Sequence, residues 1–238
     1  MSFLTAEWRK LAIFNYDVDP RLLEKYLPNG TELDIWNGRC YVSLIGFVFK
    51  ETRLKGIKMP FHNSFEEVNL RFYVKVNSNG VWKRGVVFIK EFVPRFMLAF
   101  VANVFYNENY QKVKMEHTWS VTAYSTDVVY KWYNKGTQQS ISVSASKEPS
   151  TIEEDSEIQF ITEHYWGYAR NGSKKTNEYE VKHPKWMHYK VENFKVDVDF
   201  AMNYGESFRF LNEKDPTSVI LVEGSEVSVG DVVRMVGI

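Results

Sequence analysis

Val68-Asn-Leu-Arg-Phe-Tyr-Val-Lys-Val76, followed by Asn77-Ser-Asn-Gly80 and then Gly85-Val-Val-Phe-Ile-Lys-Glu-Phe92, is the stretch on which the fold turns. Two runs rich in β-branched and aromatic residues flank a cluster of turn formers, the pattern of two strands joined as a hairpin. Toward the N-terminus, Cys40 to Phe49 has the same composition, and Leu11 to Tyr16 reads as a further strand. Between those two, Asp19-Pro20-Arg-Leu-Leu-Glu-Lys-Tyr-Leu-Pro28-Asn-Gly30 carries a capping aspartate, a proline at the first helical position and a proline–glycine stop. This predicts a short helix with Leu22, Leu23, Tyr26 and Leu27 as its buried stripe.

On the other side, Pro94 to Phe105 starts with proline and is apolar almost all round, which predicts a helix sunk into the core at one mouth of a barrel. Lys112 to Tyr124, Asp127 to Asn134 and Ser140 to Ala145 read as strands, with Lys135-Gly136 as a hairpin turn. A third helix is predicted over Ser156 to His164, followed by the polar loop Asn171 to Thr176. Tyr179 to Val181, Tyr189 to Asp199, Val219 to Val222 and Val227 to Met235 complete the strands. Helices are few and do not alternate with strands, which excludes a doubly wound parallel sheet. The expected fold is mainly β (α+β): an antiparallel β-barrel or β-cone with a few packed helices. No internal repeat is evident, and a β-rich chain of this length is expected to form one domain over residues 1–238.

Composition narrows the function classes. With 44% hydrophobic and 16% aromatic residues the chain collapses and folds. Its 30 basic residues balance 30 acidic ones, so the long-range field that draws nucleic acid or an anionic membrane surface is missing. The longest apolar run, Phe96 to Phe105, falls short of the roughly 20 residues that a spanning helix needs. The single Cys40 cannot close an intramolecular disulfide, and the first residues lack a basic region followed by an apolar run, so a cytoplasmic setting is expected.

Dinucleotide, phosphate-loop and nucleophile-elbow motifs are all missing from the chain. Of the histidines His62, His117, His164, His183 and His188, only the last two are close, and five residues across Pro184 do not set two imidazoles on one helix face. They read as surface residues, and no metal is expected. Cys40, within a strand-like run, reads as a small apolar side chain rather than a nucleophile. Lys174 and Lys175 read as a solvated loop, and the aromatic residues as core and pocket wall.

Several segments carry a family signature. They are Trp8 to Pro20 with Leu27-Pro-Asn-Gly-Thr-Glu-Leu33, Tyr41-Val-Ser-Leu-Ile-Gly-Phe47, Phe65 to Val74, and Gly85 to Glu91 leading on to Tyr106-Asn-Glu-Asn-Tyr110. Over Arg9 to Pro28 and Phe65 to Lys112 the chain resembles acetoacetate decarboxylase. Over its whole length it more closely resembles the uncharacterised bacterial YqjF-like group placed with that superfamily. The resemblance implies a single acetoacetate decarboxylase-like domain, an antiparallel β-cone around a hydrophobic cavity.

The resemblance also implies site residues. Arg9 stands as far before Asp19 as the decarboxylase's site arginine stands before the aspartate that opens its first helix. Glu67 falls on its strand glutamate. Its other acidic position aligns near Ser43. The Schiff-base lysine, preceded by proline in the enzyme, corresponds here to Asn109-Tyr110, and tyrosine cannot form an imine. Lys112 is the nearest amine, but two residues along a strand is about 6.6 Å, and like Lys114 it reads as reaching solvent. The expected site is therefore Glu67 and Tyr110 as the catalytic pair, the glutamate moving a proton and the phenol stabilising an enolate. Arg9, Ser43, Asn69, Arg71, Tyr106 and Lys112 are expected to bind substrate, with Arg9 facing Glu67 across the cavity. No cofactor is expected. Two functions follow: a lyase-type enzyme on a small keto or hydroxy acid without a Schiff base, or a non-catalytic small-molecule binder or sensor. A third outcome is that Arg9 and Glu67 merely satisfy one another. A homo-oligomer is expected because the superfamily's characterised members assemble.

Overall fold

The computed structural model describes residues 2–58, 64–94, 109–172 and 175–236. Among these the chain forms strands β1 (Leu4–Asp17), β2 (Glu32–Leu33), β3 (Tyr41–Leu54), β4 (Ile57–Lys58), β5 (Ser64–Ser78), β6 (Val81–Val93), β7 (Tyr110–Lys112), β8 (Lys114–Val121) and β9 (Ser125–Asn134). They continue as β10 (Thr137–Ser146), β11 (Ser150–Thr151), β12 (Trp166–Asn171), β13 (Lys175–Lys182), β14 (Met187–Tyr189), β15 (Val191–Asp197), β16 (Ser218–Val229) and β17 (Val233–Val236). Two short α-helices, α1 (Glu157–Thr162) and α2 (Phe200–Tyr204), pack on them.

The hairpin that opened the sequence reading is present: β5 and β6 pair antiparallel down to Ser78↔Val81. Asn79 and Gly80 between them both have positive φ, 53° and 84°, the backbone of a two-residue turn whose twist matches that of the strands. Lys135-Gly136 does the same between β9 and β10, at 49° and 82°.

The large sheet runs β16-β1-β3-β5-β6-β12-β13, and β13 returns to β16 through Val181↔Val229 and Lys182↔Ser228. Two seams of this ring are short. β13–β16 holds two residue pairs, and β6–β12 is a parallel contact of two more, Trp166↔Gly85 and Gly167↔Val86. These short seams leave the barrel unclosed, the cone rather than the barrel of the expected pair.

A second sheet, β15-β10-β9-β8, covers one face of the first. Val42, Leu44 and Val48 of β3 share a core with Tyr130, Trp132 and Ile141 on that side. Tyr41, Ile45, Phe47 and Phe49 point the other way, into a cluster with Phe160 and Trp186. Burial on both faces is the reason Cys40 to Phe49 is an almost unbroken apolar run, because neither parity of the strand meets water.

Local readings differ from the structure in a few places. The helix predicted after Asp19 is two 3₁₀ turns, Pro20–Leu22 and Glu24–Tyr26, with Asp19 accepting from the Arg21 amide. So few residues between the cap and Pro28 cannot sustain the costly α-helical nucleus. The helix at Ser156 is present, its cap accepting from the Gln159 amide at 3.2 Å. The strand read through Asp199 ends at Asp197, and Asp199 instead caps α2, which a 3₁₀ run over Glu206–Glu213 follows. Lys112 to Tyr124 is broken at Val113 into β7, parallel to β6, and β8, antiparallel to β9. The apolar helix predicted from Pro94 to Phe105 lies, beyond Pro94, outside the described residues.

Gly46 sets the spacing of the two sheets. A Cβ there would lie 2.7 Å from the Tyr130 ring and 2.9 Å from Ile141, inside contact distance. Gly46→Ala is expected to destabilise the protein by about 1–3 kcal/mol through overpacking, read as a lower urea midpoint with an unchanged slope.

Candidate functional site

The inner face of the cone encloses a cavity of about 130 Å³. Its walls are apolar: Trp8, Ile45, Phe47, Phe65 and Phe88 from the strands, and Trp186 from the chain before β14. Polar groups enter from few directions. Glu67, Asn69 and Arg71 lie two residues apart on β5 and so share the face that looks inward. Tyr110 comes from β7, which β6 holds in place beside Glu91. His164 follows α1.

Glu67 is buried, 2% exposed. Its Oε1 accepts from Asn69 Nδ2 at 2.9 Å and its Oε2 from the Tyr110 hydroxyl at 3.1 Å. Burial pushes its pKa up to about 7, while the bonds from Asn69 and Tyr110 and the charge of Arg71 oppose the rise. The Tyr110 phenol is pushed well above its ordinary value by burial and by the charges of Glu67 and Glu91, so it stays a donor. Arg71 reaches the Ile161 carbonyl at 3.5 Å, and its buried Nε has no partner among the described residues.

The remaining expected residues are placed elsewhere. Arg9 does not face Glu67: its Nε bonds Glu7 at 2.9 Å and its guanidinium lies 4.0 Å from Glu223. Strand parity is the cause. Trp8 points into the cavity, Arg9 therefore points out, and a bulge at Lys10, φ 54°, restores Leu11 to the inner face. The alternative that Arg9 and Glu67 neutralise one another falls with it. Ser43 is buried but outside the cavity lining, bonded to Asn15 at 2.6 Å and Tyr73 at 2.8 Å. Lys112 is exposed, and among the described residues lining the cavity there is no lysine. Tyr106 lies outside the described residues. Cys40 packs in the core, where burial pushes its thiol up to about 11.

Sequence reasoning missed the histidines. His164 is buried rather than superficial, its Nε2 3.1 Å from Asp34 Oδ2, which also takes Arg84 Nε at 2.6 Å. Burial lowers its pKa to about 4, so the ring is neutral near neutrality. His183 lines the cavity with its ring stacked on Trp186 at 4.0 Å. Asp34 is 130 residues from His164, and no local signal links them. Among the described residues no three His, Cys, Asp or Glu side chains gather to hold a metal.

The DUF2071 family, described as an uncharacterized conserved protein, matches residues 5–226. The chain belongs to this family. The DUF2071 chain is 26% identical over 211 residues to the uncharacterized protein YqjF of Bacillus subtilis, covering 88% of itself and 83% of that relative. In structure it is similar to acetoacetate decarboxylase from Legionella pneumophila, with a TM-score of 0.68 at 10% identity over 98% of this chain and 86% of that one. It is also similar to the enduracididine biosynthesis enzyme MppR complexed with pyruvate, with a TM-score of 0.69 at 11% identity over 98% and 91%. The shared fold is that of acetoacetate decarboxylase.

In the DUF2071 chain the elevated pKa of Glu67 couples the site to stability. The fold favours the protonated carboxyl, so its contribution is whole below the ordinary value of 4.5 and is lost as pH rises through about 7. Glu67→Gln cannot ionise. Its stability relative to wild type is therefore expected to rise by a few kcal/mol between about pH 5 and pH 8, measured by urea unfolding across that range.

Proposed function

We propose that the cavity binds a small keto or hydroxy acid, or a related carbonyl compound, and that Glu67 moves a proton on it without a Schiff base. The observation that carries this reading is the Glu67 carboxyl in its apolar wall. A group with a pKa near 7 is present in both protonation states at neutral pH, which suits general acid–base work. In its ionised form Glu67 takes a proton from the carbon beside the carbonyl, and the C–H electron pair moves onto the carbonyl oxygen. The Tyr110 hydroxyl donates to that enolate oxygen, and the protonated Glu67 returns the proton to carbon or to a leaving group. Arg71 supplies the cation for the carboxylate.

The cavity's size supports the class of ligand. About 130 Å³ compares with the roughly 150 Å³ that accommodates benzene in an engineered core, and pyruvate has as many heavy atoms as benzene. The structural neighbour MppR is complexed with pyruvate. A second reading, a non-catalytic binder or sensor, is favoured by the apolar wall, in which the polar groups would only orient a ligand. Both readings keep the expected cytoplasmic setting and self-assembly as part of the proposal. Among the described residues no helix is long and apolar enough to cross a membrane.

Two measurements decide between the readings. Glu67→Gln is expected to abolish turnover of a panel of small keto and hydroxy acids while leaving their affinity within about threefold. Equal loss of both, or no turnover by the wild type, selects the binder. Borohydride with acetoacetate or pyruvate is expected to leave the intact mass of the protein unchanged, and an adduct on Lys112 would restore the imine mechanism.

A further inference from the structure

His164 ends in the same cavity as Glu67 and belongs to none of the roles above. Its ring is held from several sides. Tyr73 and Phe160 lie against it at centroid distances of 4.7 and 5.0 Å, and Nε2 is fixed on Asp34. Asp34 is itself held by Arg84 and by its own burial beside the Tyr73 carbonyl, which its amide meets at 3.0 Å. Burial pushes Asp34 up, but the bonds from His164 and Arg84 bring it below the ordinary carboxylate value, so it is ionised. An ionised carboxylate can only accept, which assigns the proton to Nε2 and leaves Nδ1 as a lone-pair acceptor. That Nδ1 is buried and has no partner among the described residues.

We infer that His164 is a ligand-binding residue whose Nδ1 accepts a hydrogen bond from the ligand's hydroxyl, so that the cavity selects a small hydroxy acid over the keto acid of the same skeleton. This rests on the reading of the cavity as an acid-binding site and names its substrate class. The complementarity is direct. Arg71 is a cation whose Nε has no partner among the described residues, it bonds the carbonyl of Ile161, three residues before His164, and both residues line the cavity. A hydroxy acid presents a carboxylate to the first and an O–H to the second. A keto acid sets a carbonyl lone pair against that of Nδ1 and leaves the buried acceptor unmet, which costs about 1–3 kcal/mol. Glu67 and Tyr110, bonded to each other at 3.1 Å, act on the hydroxyl-bearing carbon from β5 and β7, the acid's own carboxylate C=O receiving the electron pair when that carbon gives up its proton.

The probes are 2-hydroxybutanoate and 2-oxobutanoate, titrated calorimetrically into the full chain. The wild type is expected to bind the hydroxy acid about tenfold more tightly or better. His164→Phe keeps the ring packing on Tyr73 and Phe160 and removes the acceptor, and is expected to bring the ratio to about one by weakening the hydroxy acid and relieving the lone-pair clash of the keto acid. Equal affinities in the wild type, or a preference that survives in His164→Phe, overturns the inference while leaving the acid-binding cavity standing. Binding of neither acid overturns both. Should the variant not fold, ¹⁵N NMR of the wild-type imidazoles decides: an Nε2–H tautomer at His164 is expected, and an Nδ1–H tautomer overturns the assignment.

Discussion

The central strand β3 is dry on both sides, and the rest of the molecule follows from that constraint. One parity of its side chains is pressed against the four-stranded sheet, with Gly46 admitting the Tyr130 ring. The other parity lines the hollow of the cone. A sheet pinned from outside by close packing cannot relax inward to fill a void, because protein interiors resist changes of even a methylene in volume. The cavity persists for that reason, and its walls stay apolar because the same strands must also form core.

Desolvation then sets the chemistry of the few polar groups admitted. Glu67 sits near neutrality, the His164 ring is neutral and Tyr110 holds its proton, each displaced by burial in the direction that removes charge. Asp34 is the exception, kept ionised because two donors meet it. The described lining combines a buried carboxyl, a phenol, an imidazole and a guanidinium, with no lysine among them. A fold shared with acetoacetate decarboxylase does not by itself fix the chemistry, because function resides in sites grafted on a common frame.

Legibility in the sequence tracked the range of the interaction concerned. Asn79-Gly80 and Lys135-Gly136 announce their turns because positive φ is a local demand that few residues meet. Ser156 announces its helix through a bond spanning three residues. Glu67 and Tyr110 are reached through resemblance, and strand periodicity then sets Asn69 and Arg71 on the face of Glu67. Strand β12 is less legible: its partner β13 follows it directly in the chain, but the seam that joins it to the rest of the ring, Trp166↔Gly85 and Gly167↔Val86, lies with a distant segment. The Asp199 cap and Gly205 stop around α2 were present as signals, but so short a helix left the strand pattern before it dominant.

Local patterns along the chain fix the kind of molecule: an antiparallel β fold with capped short helices, balanced charge, and Glu67, Asn69 and Arg71 on one face of a strand. Those properties follow from dihedral preference, periodicity and composition, which act over a few residues at a time. Long-range contacts fix the rest: that Arg9 points away, that the ring of strands is seamed rather than closed, and that Asp34 orients His164 across 130 residues of chain. Each of those depends on a bulge, a short pairing or a through-space hydrogen bond between segments far apart in sequence. Such contacts form only when the whole chain has folded, and no local pattern records them.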